Sequence, residues 1–95
     1  DLAYFTGTSL DPVTRGSIER DLVADYHAAL VALGVSGYDA QSCWRDYRLG
    51  MLQAPLIIVF GVAFATSTER GDDMMLVMAE RSCRAIRELD TLGLI

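Results

Sequence analysis

Residues 11–34, DPVTRGSIERDLVADYHAALVALG, decide the fold class. Asp11 can accept from the first free N–H groups of a helix, and Pro12 at the first helical position gives up no hydrogen bond. Ile18, Leu22, Tyr26, Ala29, Leu30 and Leu33 then recur at three- and four-residue spacing, a single apolar stripe on a long amphipathic helix. Gly34 supplies a left-handed C-cap that Val35 can close over. The spacing predicts a helix over 12–33 with that stripe packed inward.

Working outward, Ser36–Asp39 reads as a loop in which Asp39 can cap a second helix. Trp44, Tyr47, Met51 and Leu52 lie on one side of that helix, while Arg45, Asp46 and Arg48 cover the remainder. Pro55 interrupts or restarts it. LIIVFGVAFA (56–65) follows, apolar all round but only ten residues long. A bilayer crossing needs roughly twenty consecutive apolar residues, so the expectation is a helix fully buried at the centre of a helical domain. Residues 66–73 read as a polar connector, with Asp72 or Asp73 capping a last helix. Its inward stripe is Met75, Met78, Ala79, Ser82, Ile86 and Leu89, and Glu80, Arg84 and Glu88 alternate in charge outside. The expectation is an all-α chain of four to five helices in one domain, 1–95.

The chain has 95 residues, and so small a domain buries only about 60–65% of the surface its unfolded form exposes. Yet 52% of it is hydrophobic and 22% charged, with a mean hydropathy of +0.26. That surplus predicts a face covered by something else. DLAYF (1–5) opens without a methionine and runs straight into apolar sequence, which reads as a piece of a longer protein. The net charge is −5 and all eight basic residues are Arg. An acidic surface with no basic stripe is unsuited to nucleic acid or anionic membranes. Cys43 and Cys83 stand forty residues apart in helical, apolar settings, reading as buried thiols in a cytoplasmic protein.

Few residues point to chemistry. His27, the sole histidine, lies off the apolar stripe, at the surface or rim, and a single His without clustered Cys disfavours zinc. Asp72-Asp73 fits capping better than an acid–base pair. Arg70-Gly71-Asp72 matches an adhesion tripeptide too short to carry weight. Gly34–Gly37 ends a helix instead of opening one, which is wrong for a phosphate loop. Trp44, Tyr47 and Arg48 leave two readings open: a wall for a bulky apolar ligand with one polar group, or core filling with a solvated Arg48.

DLAYF, the helix reading R…E..L…Y..AL…G over 15–34, and CWRDYR at 43–48 together resemble the C-terminal end of the aminoglycoside phosphotransferase and choline kinase-like superfamily. The ecdysteroid-kinase-like branch is the nearest in flavour, and the likeness runs from Asp1 to about Leu92. It implies that the segment is the distal part of the helical C-lobe of a protein-kinase-like fold, in an enzyme phosphorylating a hydroxyl of a small molecule. ATP and magnesium are implied for that parent protein, with none bound by this segment. The family's catalytic His-Gly-Asp motif, its following Asn and its metal-binding Asp match nothing between 1 and 95, and there is no Lys. Phosphoryl transfer needs those positioning and neutralising groups, so the segment alone is expected to be inactive. The resemblance further implies that Asp1 and Tyr4 brace the catalytic loop, with Phe5 beneath it, and that Trp44, Tyr47 and Arg48 line the acceptor pocket. The expected partners are the remaining N-terminal lobe and catalytic part, plus a small-molecule acceptor. The alternative is a self-standing helical interaction module without catalysis, and a third reading places 55–65 against a membrane.

Overall fold

In the computed structural model, which describes residues 2–64 and 68–95, the chain is all-helical. Its elements are α1 (Leu2–Ser9), α2 (Pro12–Ala32), α3 (Ala40–Gly50), α4 (Gln53–Phe64), α5 (Glu69–Glu88) and a closing 3-10 turn, Thr91–Leu94. The local signals at the ends of α2 hold. Asp11 accepts from Val13 N and Thr14 N, both at 3.1 Å. Gly34 takes φ +100°, while Gly34 N reaches Val31 O and Val35 N reaches Leu30 O, both at 3.0 Å, as in a Schellman motif. Asp39 caps α3 through Ser42 N at 2.7 Å. Pro55 sits in the first turn of α4, where its missing N–H has no intrahelical partner to lose.

Four sequence expectations are corrected. The face of α2 that packs inward is Arg15, Glu19 and Val23, about 50° around the helix from the apolar stripe. Ile18, Tyr26 and Leu33 are exposed, and only Leu22 and Leu30 are half-covered. The inward line can be polar because other helices answer its charges. Second, α4 is not the buried centre: only Ala54 and Ile58 are covered, while Leu56, Val59, Phe60, Val62 and Phe64 face outward. Third, residues 68–73 are no connector. Thr68 caps α5 by accepting from Gly71 N at 3.0 Å, which puts Asp72 and Asp73 inside the helix. Thr66 and Ser67 lie outside the described residues. Fourth, Cys43 is buried but Cys83 is exposed, and both are free thiols. The rest of the α5 pattern stands: Ser82 is buried, Met75, Met78, Ala79, Ile86 and Leu89 are half-covered, and Arg84 pairs with Glu88 at 3.1 Å.

The apolar core is small: Ala3, Val23, Cys43, Tyr47, Met51 and Ala85, edged by Leu2, Tyr38, Trp44, Ile86 and Leu89. It lies where α1, α2, α3 and α5 meet. Gly50 and Gly7 let α1 approach closely, since a Cβ on Gly50 would stand 3.0 Å from that of Ala3 and one on Gly7 2.8 Å from Met51 Sδ. From this core α4 and the first half of α5 run out as a helical hairpin. Gly61 faces Met75 there, closely enough that a Cβ would lie 2.8 Å from Met75 Cε. The radius of gyration is 14.6 Å and the extents are 45 × 24 × 24 Å. A compact chain of this length would have a radius of about 12 Å, so the hairpin projects.

Candidate functional site

The buried charges Arg15 and Glu19 sit in a network that also takes in Thr6, Tyr47 and Glu88 and so joins four helices. Arg15, 1% exposed, donates from Nη1 to Glu19 Oε2 at 2.8 Å. From Nη2 it donates to Glu88 Oε1 and Oε2 of α5 at 3.0 and 3.2 Å. The Tyr47 hydroxyl of α3 donates to Glu19 Oε1 at 2.8 Å, and the Thr6 hydroxyl of α1 stands 2.8 Å from the same oxygen of Tyr47. Among the described residues every buried side-chain N and O has a partner. Both oxygens of Glu19 are therefore engaged, and breaking any link strands a charge or hydroxyl away from water. Burial, opposed by the Thr6 hydrogen bond and reinforced by the Glu19 carboxylate, pushes the Tyr47 hydroxyl well above the usual phenol range.

The residues read from the sequence as an acceptor wall are divided by the fold. Trp44 and Tyr47 stack, with ring centroids 5.4 Å apart and planes 20° from parallel. Arg20 lies 4.4 Å over the Trp44 ring, a cation–π contact. Tyr47 is buried and also lines a cleft of about 190 Å³ with Leu2, Val23, Tyr26, Tyr38 and Asp46. Arg48 turns to the end of α5, donating from Nε to Leu89 O at 2.7 Å and from Nη2 to Asp90 O at 3.1 Å. It thus neither borders that cleft nor stands free in solvent: it closes the C-terminus of α5, where carbonyls lack intrahelical partners. Thr91 completes the latch by donating to Arg48 O at 2.9 Å. Tyr4 is half-buried in α1, against α5, and Asp1 lies outside the described residues.

At the cleft rim the Tyr38 hydroxyl donates to Asp46 Oδ2 at 2.6 Å, a bond that holds the phenol proton and raises its pKa. His27 is half-buried, with Nε2 2.6 Å from Tyr38 O. Among the described residues no three of His, Cys, Asp and Glu gather closely enough to hold a metal ion. Sequence reasoning missed Thr6, Arg15, Glu19, Arg20 and Glu88. The one available signal was Arg15, Glu19 and Val23 at four-residue intervals, a second line on the α2 wheel.

The largest unsatisfied feature is apolar. Along α4, Leu56, Val59, Phe60, Val62 and Phe64 are exposed, and Leu76 is exposed on α5. Ala40–Phe64 is a 25-residue stretch long and apolar enough to cross a membrane by length and composition. Its first half, however, supplies Cys43, Tyr47 and Met51 to the protein interior. That leaves α4, whose 12 residues span about 18 Å against a hydrocarbon thickness of about 30 Å. No protein-family model matches the chain, and no curated protein or solved structure matches it either.

Proposed function

We propose that this chain is the C-terminal helical part of an ATP-dependent small-molecule phosphotransferase, serving as scaffold and acceptor-side wall while the catalytic groups come from the rest of the protein. The observation that carries the reading is the α4–α5 hairpin, whose outer face is apolar over three turns. A face of that kind belongs against another protein surface. With DLAYF and CWRDYR resembling the C-terminal end of the kinase-like superfamily, the surface that covers it is the catalytic part of the same lobe. The four-helix polar network suits such a scaffold, because it fixes α1 against α2, α3 and α5 through directional bonds. The acceptor would lie along the cleft at Tyr47 and Tyr38, with Trp44 stacked behind and Arg48 holding the helices together.

The coding sequence preceding Asp1 tests this reading. A His-Gly-Asp motif with a nearby Asn, then a metal-binding Asp within about forty residues of Asp1, is the expected result. Their absence would rule out an active kinase. The same apolar hairpin also fits a helical interaction module without catalysis, and in that case the upstream sequence carries no such motifs.

A further inference from the structure

A second surface, separate from the outer face of α4, lies between α1 and α5. It is a groove of about 440 Å³. Met74, Val77 and Met78 of α5 form its floor, and Tyr4 of α1 forms a wall. Asp73 stands at one end and Arg81 at the other. Residues 74, 77, 78 and 81 follow the i, i+3, i+4, i+7 pattern, so the groove runs along the α5 axis. Its charged ends are eight residues apart, about 12 Å of helix. The Arg81 guanidinium is held in place, donating from Nη1 to Thr8 O at 3.4 Å and to Ser9 O at 3.3 Å.

We propose that this groove receives an amphipathic helix of a partner protein, with apolar anchors at i, i+3, i+4 and i+7, a basic residue at the Asp73 end and an acidic residue at the Arg81 end. Three observations select that occupant. Both walls are helices whose backbone groups are already bonded internally, so an extended strand would find no edge to pair with. Methionines are flexible and polarisable, which suits a floor that accepts inserted aliphatic side chains. Opposite charges at the two ends match a helix of opposite polarity and penalise one whose ends carry the same sign. The proposal goes beyond the phosphotransferase reading and needs neither catalysis nor the outer face of α4.

Two fluorescent, hydrocarbon-stapled peptides of about 14 residues test it, the staple offsetting the marginal helicity of short chains. Both carry leucines at i, i+3, i+4 and i+7. One has Lys and Glu at opposite ends and the other Glu at both ends. Anisotropy titration against the 95-residue chain is expected to show saturable binding of the mixed-charge peptide, with the all-acidic peptide weaker by about three- to tenfold. Asp73→Lys is expected to reverse that order, because the groove then offers two cations. Val77→Asp is expected to abolish binding of both peptides while the helical circular dichroism of the chain is kept. Failure of both peptides to bind, equal binding of the two, or an order unchanged by Asp73→Lys overturns the proposal. The upstream motif search can fail without affecting this result, so the two ideas stand or fall separately.

Discussion

Replacing Arg15 with methionine keeps much of the side-chain volume but removes the cation that pairs with Glu19 among the described residues. Glu19 is 6% exposed, and after the change Tyr47 is its sole remaining hydrogen-bond partner among the described residues. Removing one member of a buried pair costs about 3–5 kcal/mol, because the other charge stays desolvated. The second contact adds little, since Glu88 is 41% exposed and such pairs are worth about 0–1 kcal/mol. A domain of this size has about 5–14 kcal/mol in total, so Arg15→Met is expected to remove a large part of its stability. Arg15→Met with Glu19→Leu removes both charges, and isosteric apolar replacement of a pair is often near neutral. The double variant should therefore be more stable than Arg15→Met alone. Urea unfolding at low micromolar concentration, followed by Trp44 fluorescence and circular dichroism with a common m-value, gives both numbers. A cost under about 1 kcal/mol for Arg15→Met, or single-variant costs that simply add in the double, would refute the account of the network.

Three further perturbations reach other parts of the fold. Arg48→Ala should cost about 1.5–3 kcal/mol by leaving the Leu89 carbonyl uncapped and the Asp90 carbonyl with only its bond from Gly93 N, with faster amide exchange over residues 91–95 as its local signature. Because the folded-state pKa of Tyr47 lies above the unfolded value of about 10, its contribution is fully present below that pH and is lost as pH rises towards the folded-state value. Wild-type stability should accordingly fall with pH in strong alkali by about 1.4 kcal/mol per unit more than that of Tyr47→Phe, as read by urea midpoints over a pH series. Gly7→Ala would set a Cβ 2.8 Å from the sulfur of fully buried Met51 and should cost about 1–3 kcal/mol of overpacking in a thermal melt.

What could be read from the sequence was what local chemistry decides. The ends of α2 follow from Asp11, Pro12 and Gly34, and the start of α3 follows from Asp39, because a cap needs only its own turn. The α5 stripe was legible because Ser82, Ile86 and Leu89 meet a core that the other helices supply. Which face of α2 turns inward was not legible, since the choice depends on Glu88 and Tyr47, 73 and 28 residues distant from their partners. Hydropathy marked 56–65 as apolar, but apolar sequence states a need for cover without saying that this chain provides it. Arg48 read as a wall or a solvated charge because the carbonyls it closes belong to a helix end about forty residues on. Thr68 outcompeted Asp72 and Asp73 as the α5 cap, which shows that several adjacent cap formers leave a boundary open.

The most direct measurement is magnesium-dependent ATP turnover by the protein that carries this segment together with its upstream portion, compared with Phe60→Glu in that protein. The account predicts turnover in the wild type and a loss of at least about tenfold in the variant, since a charge on the α4 face would undo docking worth more than 1.4 kcal/mol. A protein that neither binds nor turns over ATP, or a Phe60→Glu variant with full activity, would contradict it.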